Sequence, residues 1–241
     1  MSKNYTAITN KLNDLMRDSN FVSNHTAEAL RAVNNALEDI NTGNTGEPRE
    51  VAYDFQKEIA DVNFDDDYSE YTLGTALNYK FPSDLRLDSE DIKFEFVKPE
   101  YYFRKEGVFG SNEYMYTVYY EGNCHKLKIN YETTDTLNFE YYSNNMVLDA
   151  DATTRKVDTD GVADDTLLMP DRYFMTLIEL TVADLYRQLK GATDEETIHY
   201  LTSGKRRLKQ MIESIGVVRR QPRSQVMIRS EWAGSHRKIT L

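Results

Sequence analysis

"LLMPDRYFMTLIELTVADLYRQLKG", residues 167–191, is the stretch on which the fold turns. Two leucines end an extended run, and Pro170 follows where a first helical turn accepts proline, since that N–H has no intrahelical partner. Phe174, Leu177, Ile178, Val182, Leu185 and Leu189 then fall at helical spacing, while Tyr173 and Leu180 widen the stripe past half the circumference. Only Arg172, Glu179, Arg187 and Lys190 mark a wet face. A helix of this kind has to be covered by several others, so the six residues from Phe174 to Leu189 are the candidate core of a helical bundle.

The partners are sought on both sides. Gly191 stops the helix, and Thr193 with Glu196 gives a capping-box pattern for a last helix to about Ile215. Its seam is Ile198, Leu201, Leu208, Ile212 and Ile215, and Gly216 ends it. Near the start, Ile8, Leu12, Leu15 and Met16 show helical spacing, as do Leu30, Val33, Leu37 and Ile40 after "SNHT". "NTGNTGEP" is a loop signal. "REVAYDFQKEIADV" places Val51, Phe55, Ile59 and Val62 on one side of a further helix, which the run Asp65, Asp66 and Asp67 ends.

Between these regions the period changes to two. "SEYTLGTALNYKFPSDL" holds short Tyr/Thr/Leu runs, and "DIKFEFV" alternates Ile92, Phe94 and Phe96 with Lys93 and Glu95. Glu121, Gly122 and Asn123 separate two alternating runs in "EYMYTVYYEGNCHKLKINY", a hairpin signal. Leu127, Ile129 and Tyr131 are expected to face Leu137, Phe139 and Tyr141 across the next turn. The expected fold is α+β: a helical bundle built from residues 1–64 and 163–216, an inserted antiparallel sheet over 65–150, a flexible polar loop at 151–162 and an extended basic C-terminal tail from 217 to 241.

Composition narrows the class. The 241 residues are 40% hydrophobic and 12% aromatic, which is ordinary globular usage. No apolar run approaches the roughly 18 residues of a membrane span, and the N-terminus lacks a signal-peptide pattern, so a soluble protein with no membrane partner is expected. The single cysteine, Cys124, leaves no intrachain disulfide and no multi-cysteine zinc site. Net charge is −11, but residues 203–241 carry ten Lys/Arg against two Asp/Glu, which places +8 there and −19 on the first 202 residues. A basic tail on an acidic body is either an interaction arm or a solvated end. The tail also keeps Val226, Met227, Ile228 and the only tryptophan, Trp232, and apolar residues of that kind favour docking.

Chemistry is harder to find. His25, His125, His199 and His236 fall in different elements, without ligand spacing to one another. "KVDTDG" holds the D-x-D-G of a calcium loop in Asp158, Asp160 and Gly161, yet Lys156 stands at the first ligand position and Leu167 where the closing glutamate belongs. "TSGKRR", residues 202–207, lacks the upstream glycine and terminal Ser/Thr of a phosphate loop. With no nucleophile elbow and no dinucleotide fingerprint, neither an enzymatic activity nor a cofactor is expected. Nine of the seventeen tyrosines lie between Tyr101 and Tyr142, more aromatic surface than a small sheet buries, which suits a subunit interface or simple strand propensity.

The order of these features resembles the head-to-tail connector, or adaptor, proteins of tailed bacteriophages. The resemblance rests on "FPSDL" at residues 81–85 after an aromatic-rich strand, on "LNFEYY" at 137–142 before a loop, on "LLMPDRY" at 167–173 and on "ADLY" at 183–186 in the following helix. It spans roughly residues 5–216, and departs from shorter members in the long middle region and the polar loop. It implies a homo-oligomeric ring, expected to be a dodecamer, in the neck of a virion assembled in the host cytoplasm. The partners implied are the portal protein above, a tail or nozzle protein below, and genomic DNA passing through the lumen without sequence-specific binding. Under that resemblance Arg219, Arg220, Arg223, Arg229 and Trp232 of the tail are the candidate portal-docking residues. A nucleic-acid-binding protein that uses the basic tail is the alternative.

Overall fold

The computed structural model describes residues 3–46, 51–64, 70–110 and 113–218. Helices α1 (Tyr5–Met16), α2 (Phe21–Asn24) and α3 (Thr26–Asn41) open the chain, and α5 (Phe174–Lys190) and α6 (Glu195–Ile215) close its helical part. The Asn4 side chain caps α1 by accepting from the Ala7 N–H. Asp194, one residue beyond the expected Thr193, caps α6 by accepting from the Glu196 and Thr197 N–H groups. In α5 even Thr176, Glu179, Thr181 and Asp184 are buried, so the helix is enclosed on almost every side.

Strands occupy the middle: β1 (Val51–Tyr53), β2 (Lys57–Val62), β3 (Glu70–Leu73), β4 (Tyr79–Leu87), β5 (Ile92–Phe96), β6 (Met115–Glu121), β7 (Cys124–Ile129) and β8 (Leu137–Ser143), with α4 (Pro99–Lys105) between β5 and β6. Short strands β9 (Val147–Leu148), β10 (Arg155–Lys156), β11 (Thr166–Leu167) and, after α6, β12 (Gly216–Val218) complete the set among the described residues. Seven strands form one curled sheet in the order β2-β8-β4-β5-β6-β7-β3. Its concave face holds a core of its own around Leu85, Phe94, Tyr116, Leu127, Phe139 and Tyr141.

These strands overturn the expected helical bundle with an inserted antiparallel sheet. The sheet is mixed, because β5 and β6 run parallel and are joined through α4, and it is a half-barrel with a separate core. The described part of "REVAYDFQKEIADV", residues 51–62, forms no α-helix: Val51, Ala52 and Tyr53 pair with residues 216–218, one 3-10 turn covers Asp54–Gln56, and Lys57–Val62 pairs with β8. Val51, Ile59 and Val62, at helical spacing, also suit strands, and long-range pairing decided between the two. Ile59, placed on the buried side of that helix, is instead 68% exposed. The β6–β7 hairpin exists, with Gly122 and Asn123 both at positive φ in its two-residue turn. The next hairpin does not: β7 pairs with β6 and β3, β8 pairs with β2 and β4, and Leu127 and Ile129 meet Leu137 and Phe139 inside the shared core rather than across a turn.

The stretch expected to be a flexible loop is tied down. Both backbone groups of Thr159 bond to the Asn34 side chain, and the Thr159 hydroxyl donates to the buried Asp165 carboxylate at 2.7 Å. One asparagine thus holds this segment against α3 as a neighbouring strand would.

Candidate interaction surface

The helical layer is held together at two levels. Apolar residues of α1, α3, α5 and α6 share one core, to which Val147 and Leu167 from the small strands and Met146 and Met169 beside them belong. Of the six expected core residues, Phe174, Leu177, Ile178, Val182 and Leu185 are buried there, whereas Leu189 is 49% exposed in the last turn of α5. Ile198 and Leu201, expected on the seam of α6, are 51% and 38% exposed. The seam turns inward only from Leu208, because α6 crosses α5 at Gly204, where Leu180 occupies the space a side chain would need.

Above that crossing, α3, α5 and α6 leave a groove of about 550 Å³. Its floor is Ala36, Leu180 and Ala183, and Leu201 stands at its edge. Three carboxylates, Glu38, Asp39 and Asp184, and two cations, Arg187 and Lys205, surround the floor. Asp184 is saturated: it accepts from Asn35, Gln188 and Arg187. Asp39 accepts from Asn44, and burial holds its carboxyl above the usual range despite the opposing pull of Lys205. Lower down, Glu179 receives the Arg207 guanidinium, whose Nε lies 2.9 Å from each carboxylate oxygen, which removes that arginine from the groove.

No family model matches this chain, and no curated protein matches it. The surfaces therefore have to be read from the chain itself.

The candidate portal-docking residues Arg219, Arg220, Arg223, Arg229 and Trp232 lie outside the described residues, as does His236. Of the other histidines, His25 tilts against Phe21 and His199 meets Tyr200. His125 packs between Tyr79 and Tyr120, where burial lowers its pKa. In the D-x-D-G stretch Asp160 is engaged by Lys156 at 2.7 Å, and among the described residues no group of three His, Cys, Asp or Glu side chains is placed to hold a metal ion. Gly204 of "TSGKRR" serves helix packing. Among the described residues no helix is long and apolar enough to cross a membrane.

The tyrosines between Tyr101 and Tyr142 divide between core and surface. Tyr102, Tyr116 and Tyr141 are each about 1% exposed and Tyr142 is 8% exposed, whereas Tyr101, Tyr114, Tyr119 and Tyr131 are half-buried and Tyr120 is 64% exposed. A curled seven-stranded sheet wraps its aromatic residues, which a small flat one cannot do. Sequence reasoning also missed the groove residues Asn35, Asp39 and Asp184. Their signal was polar side chains recurring on the apolar sides of α3 and α5, which a period search discards as noise.

Proposed function

We propose that the chain is a structural subunit of the head-to-tail connector of a tailed bacteriophage, forming a ring that docks beneath the portal and carries the tail or nozzle protein below. The observation that carries this reading is the meeting of its two strand motifs. Phe81 of "FPSDL" and Tyr142 of "LNFEYY" are cross-strand partners on the adjacent strands β4 and β8, with ring centroids 5.0 Å apart. Motifs that are degenerate singly gain weight when they share one contact, and "LLMPDRY" leads from β11 into α5, the enclosed helix. The charge split supports the same reading, since a basic, tryptophan-bearing tail on an acidic body suits an arm that grips a partner.

Function in this reading is assembly rather than turnover. Subunits bind a portal ring, order their tails against it and so create the platform for the tail only at the right place. Negative walls hold no phosphates and let DNA slide through the lumen.

The test is quantitative mass spectrometry across a density gradient of the source lysate. Co-migration with DNA-filled particles at a fixed, low copy number relative to the major capsid protein is the expected result. Particles that band without the protein overturn the proposal. Arg219→Glu, Arg220→Glu and Arg223→Glu together are expected to abolish portal binding with the melting temperature unchanged, and undiminished binding removes the docking arm. Salt-sensitive DNA binding by the full chain, lost in that triple variant, with no association with particles, favours the nucleic-acid alternative.

A further inference from the structure

We propose that the groove between α3, α5 and α6 is the seat of the chain's own basic tail, residues 219–241, held in cis before any partner takes it. Three observations lead there. The first is where the described chain ends. Val218, on β12, pairs with Val51 on β1, and the Val51 side chain packs directly on Gly43. Thr42 and Asn44, which flank Gly43, both line the groove, so the tail leaves the body beside it.

The second is chemical fit. The groove offers an apolar floor and, in Asp39, a half-buried carboxylate whose side chain accepts from Asn44; Glu38 stands next to it. A ligand for such a site needs guanidinium groups for the carboxylates and a bulky apolar group for the floor. The tail has both, with Arg219, Arg220, Arg223 and Arg229 interleaved with Val226, Met227, Ile228 and Trp232. Lys205 and Arg187 moderate the charge without cancelling it, since Arg187 is already bound to Asp184.

The third is reach. From Val218 to Trp232 is fourteen residues, which extended span up to ~46 Å, more than enough to turn back along a groove that begins at the tail's own root. Tethering favours this occupant over a second copy, because a short linker supplies an effective concentration of about millimolar. Leu201, exposed at the groove edge, is the residue the tail would cover. The contact stands without the connector reading; only its role as a latch, released when a portal takes the tail, rests on it.

Trp232 is the only tryptophan, so its fluorescence reports the tail directly in the full-length chain. The expected result is a blue-shifted emission shielded from acrylamide and independent of protein concentration. Leu201→Glu and Asp39→Lys are each expected to move it to the red and raise quenching several-fold, with the far-UV circular dichroism unchanged. Should either groove variant lose its fold, Arg219→Glu with Arg220→Glu leaves the body untouched and is expected to give the same red shift. Solvent-exposed emission in the unmodified protein overturns the proposal, and so does shielded emission that ignores every one of these variants. A shift that disappears on dilution assigns the groove to a second copy and overturns the cis seat. A shielded tryptophan in a protein that never joins particles leaves the seat standing and removes the connector function; the reverse pair of results does the opposite.

Discussion

The Lys80 ammonium on β4 reaches across to the end of α3, where it donates to both the backbone carbonyl and the side-chain Oδ1 of Asn41. The same Oδ1 accepts from Gln56 at 2.7 Å, the Asn41 amide donates to Asn144, the residue that follows β8, and the Tyr53 hydroxyl donates to the Ile40 carbonyl. Sheet and helical layer are therefore joined by a buried polar knot, centred on a lysine whose acceptors are neutral oxygens. The cation satisfies carbonyl groups that a helix C-terminus leaves unpaired.

Burial pulls the Lys80 pKa from 10.5 down to about 8, and this sets a pH dependence. Below pH 8 the lysine is charged in both folded and unfolded chains, and the full cost of burying the charge is present. Between about 8 and 10.5 the native lysine releases its proton while the unfolded chain keeps it, so stability rises with pH. The shift corresponds to on the order of 3 kcal/mol. Above pH 10 the trend reverses, because burial keeps Tyr53 and Tyr116 neutral while their unfolded counterparts ionise. Urea midpoints measured from pH 7 to 10 are expected to climb for the native protein and stay flat for Lys80→Met; parallel curves would remove Lys80 as the cause.

Gly204 and Leu180 set how closely α5 and α6 approach. A Cβ on Gly204 would lie 2.9 Å from Leu180 Cδ2 and 3.2 Å from the Leu180 backbone nitrogen. Gly204→Val is expected to destabilise the protein by about 2 kcal/mol or more through overpacking. Adding Leu180→Ala clears part of the clash, so the double variant is expected to lose less than the sum of the singles in denaturant unfolding.

Leu185 and Leu189 share one helical stripe but not one environment, at 1% and 49% exposure. Leu185→Ala is expected to cost about 2–5 kcal/mol and Leu189→Ala less than about 0.5 kcal/mol. Equal losses in thermal melts would place Leu189 in a contact beyond the chain.

Tyr53 is fully buried, and its hydroxyl bonds the Ile40 carbonyl at 2.9 Å. Tyr53→Phe removes that bond without changing the packing and is expected to cost about 1 kcal/mol. Hydrogen exchange at the C-terminal end of α3 is expected to quicken in the same variant, while exchange in β6 and β7 does not change.

Local signals determined those elements whose side chains repeat within a few turns of chain. The stripe from Phe174 to Leu185 foretold an enclosed α5, the alternation around Gly122 and Asn123 foretold the β6–β7 hairpin, and the charge split marked the tail as a separate chemical entity. Tertiary structure decided what periodicity leaves degenerate. Val51, Ile59 and Val62 fit a helix as well as strands, and only partners at residues 137–142 and 216–218, far along the chain, select strands. Strand order has no local signature either: nothing in the residues 127–141 states that β7 and β8 part to opposite sides of the sheet and meet again through its core. The groove is a product of three helices from both ends of the chain: α3 packed on α5 brings Asp39 near Asp184, and Gly204 lets α6 settle onto α5 beside them.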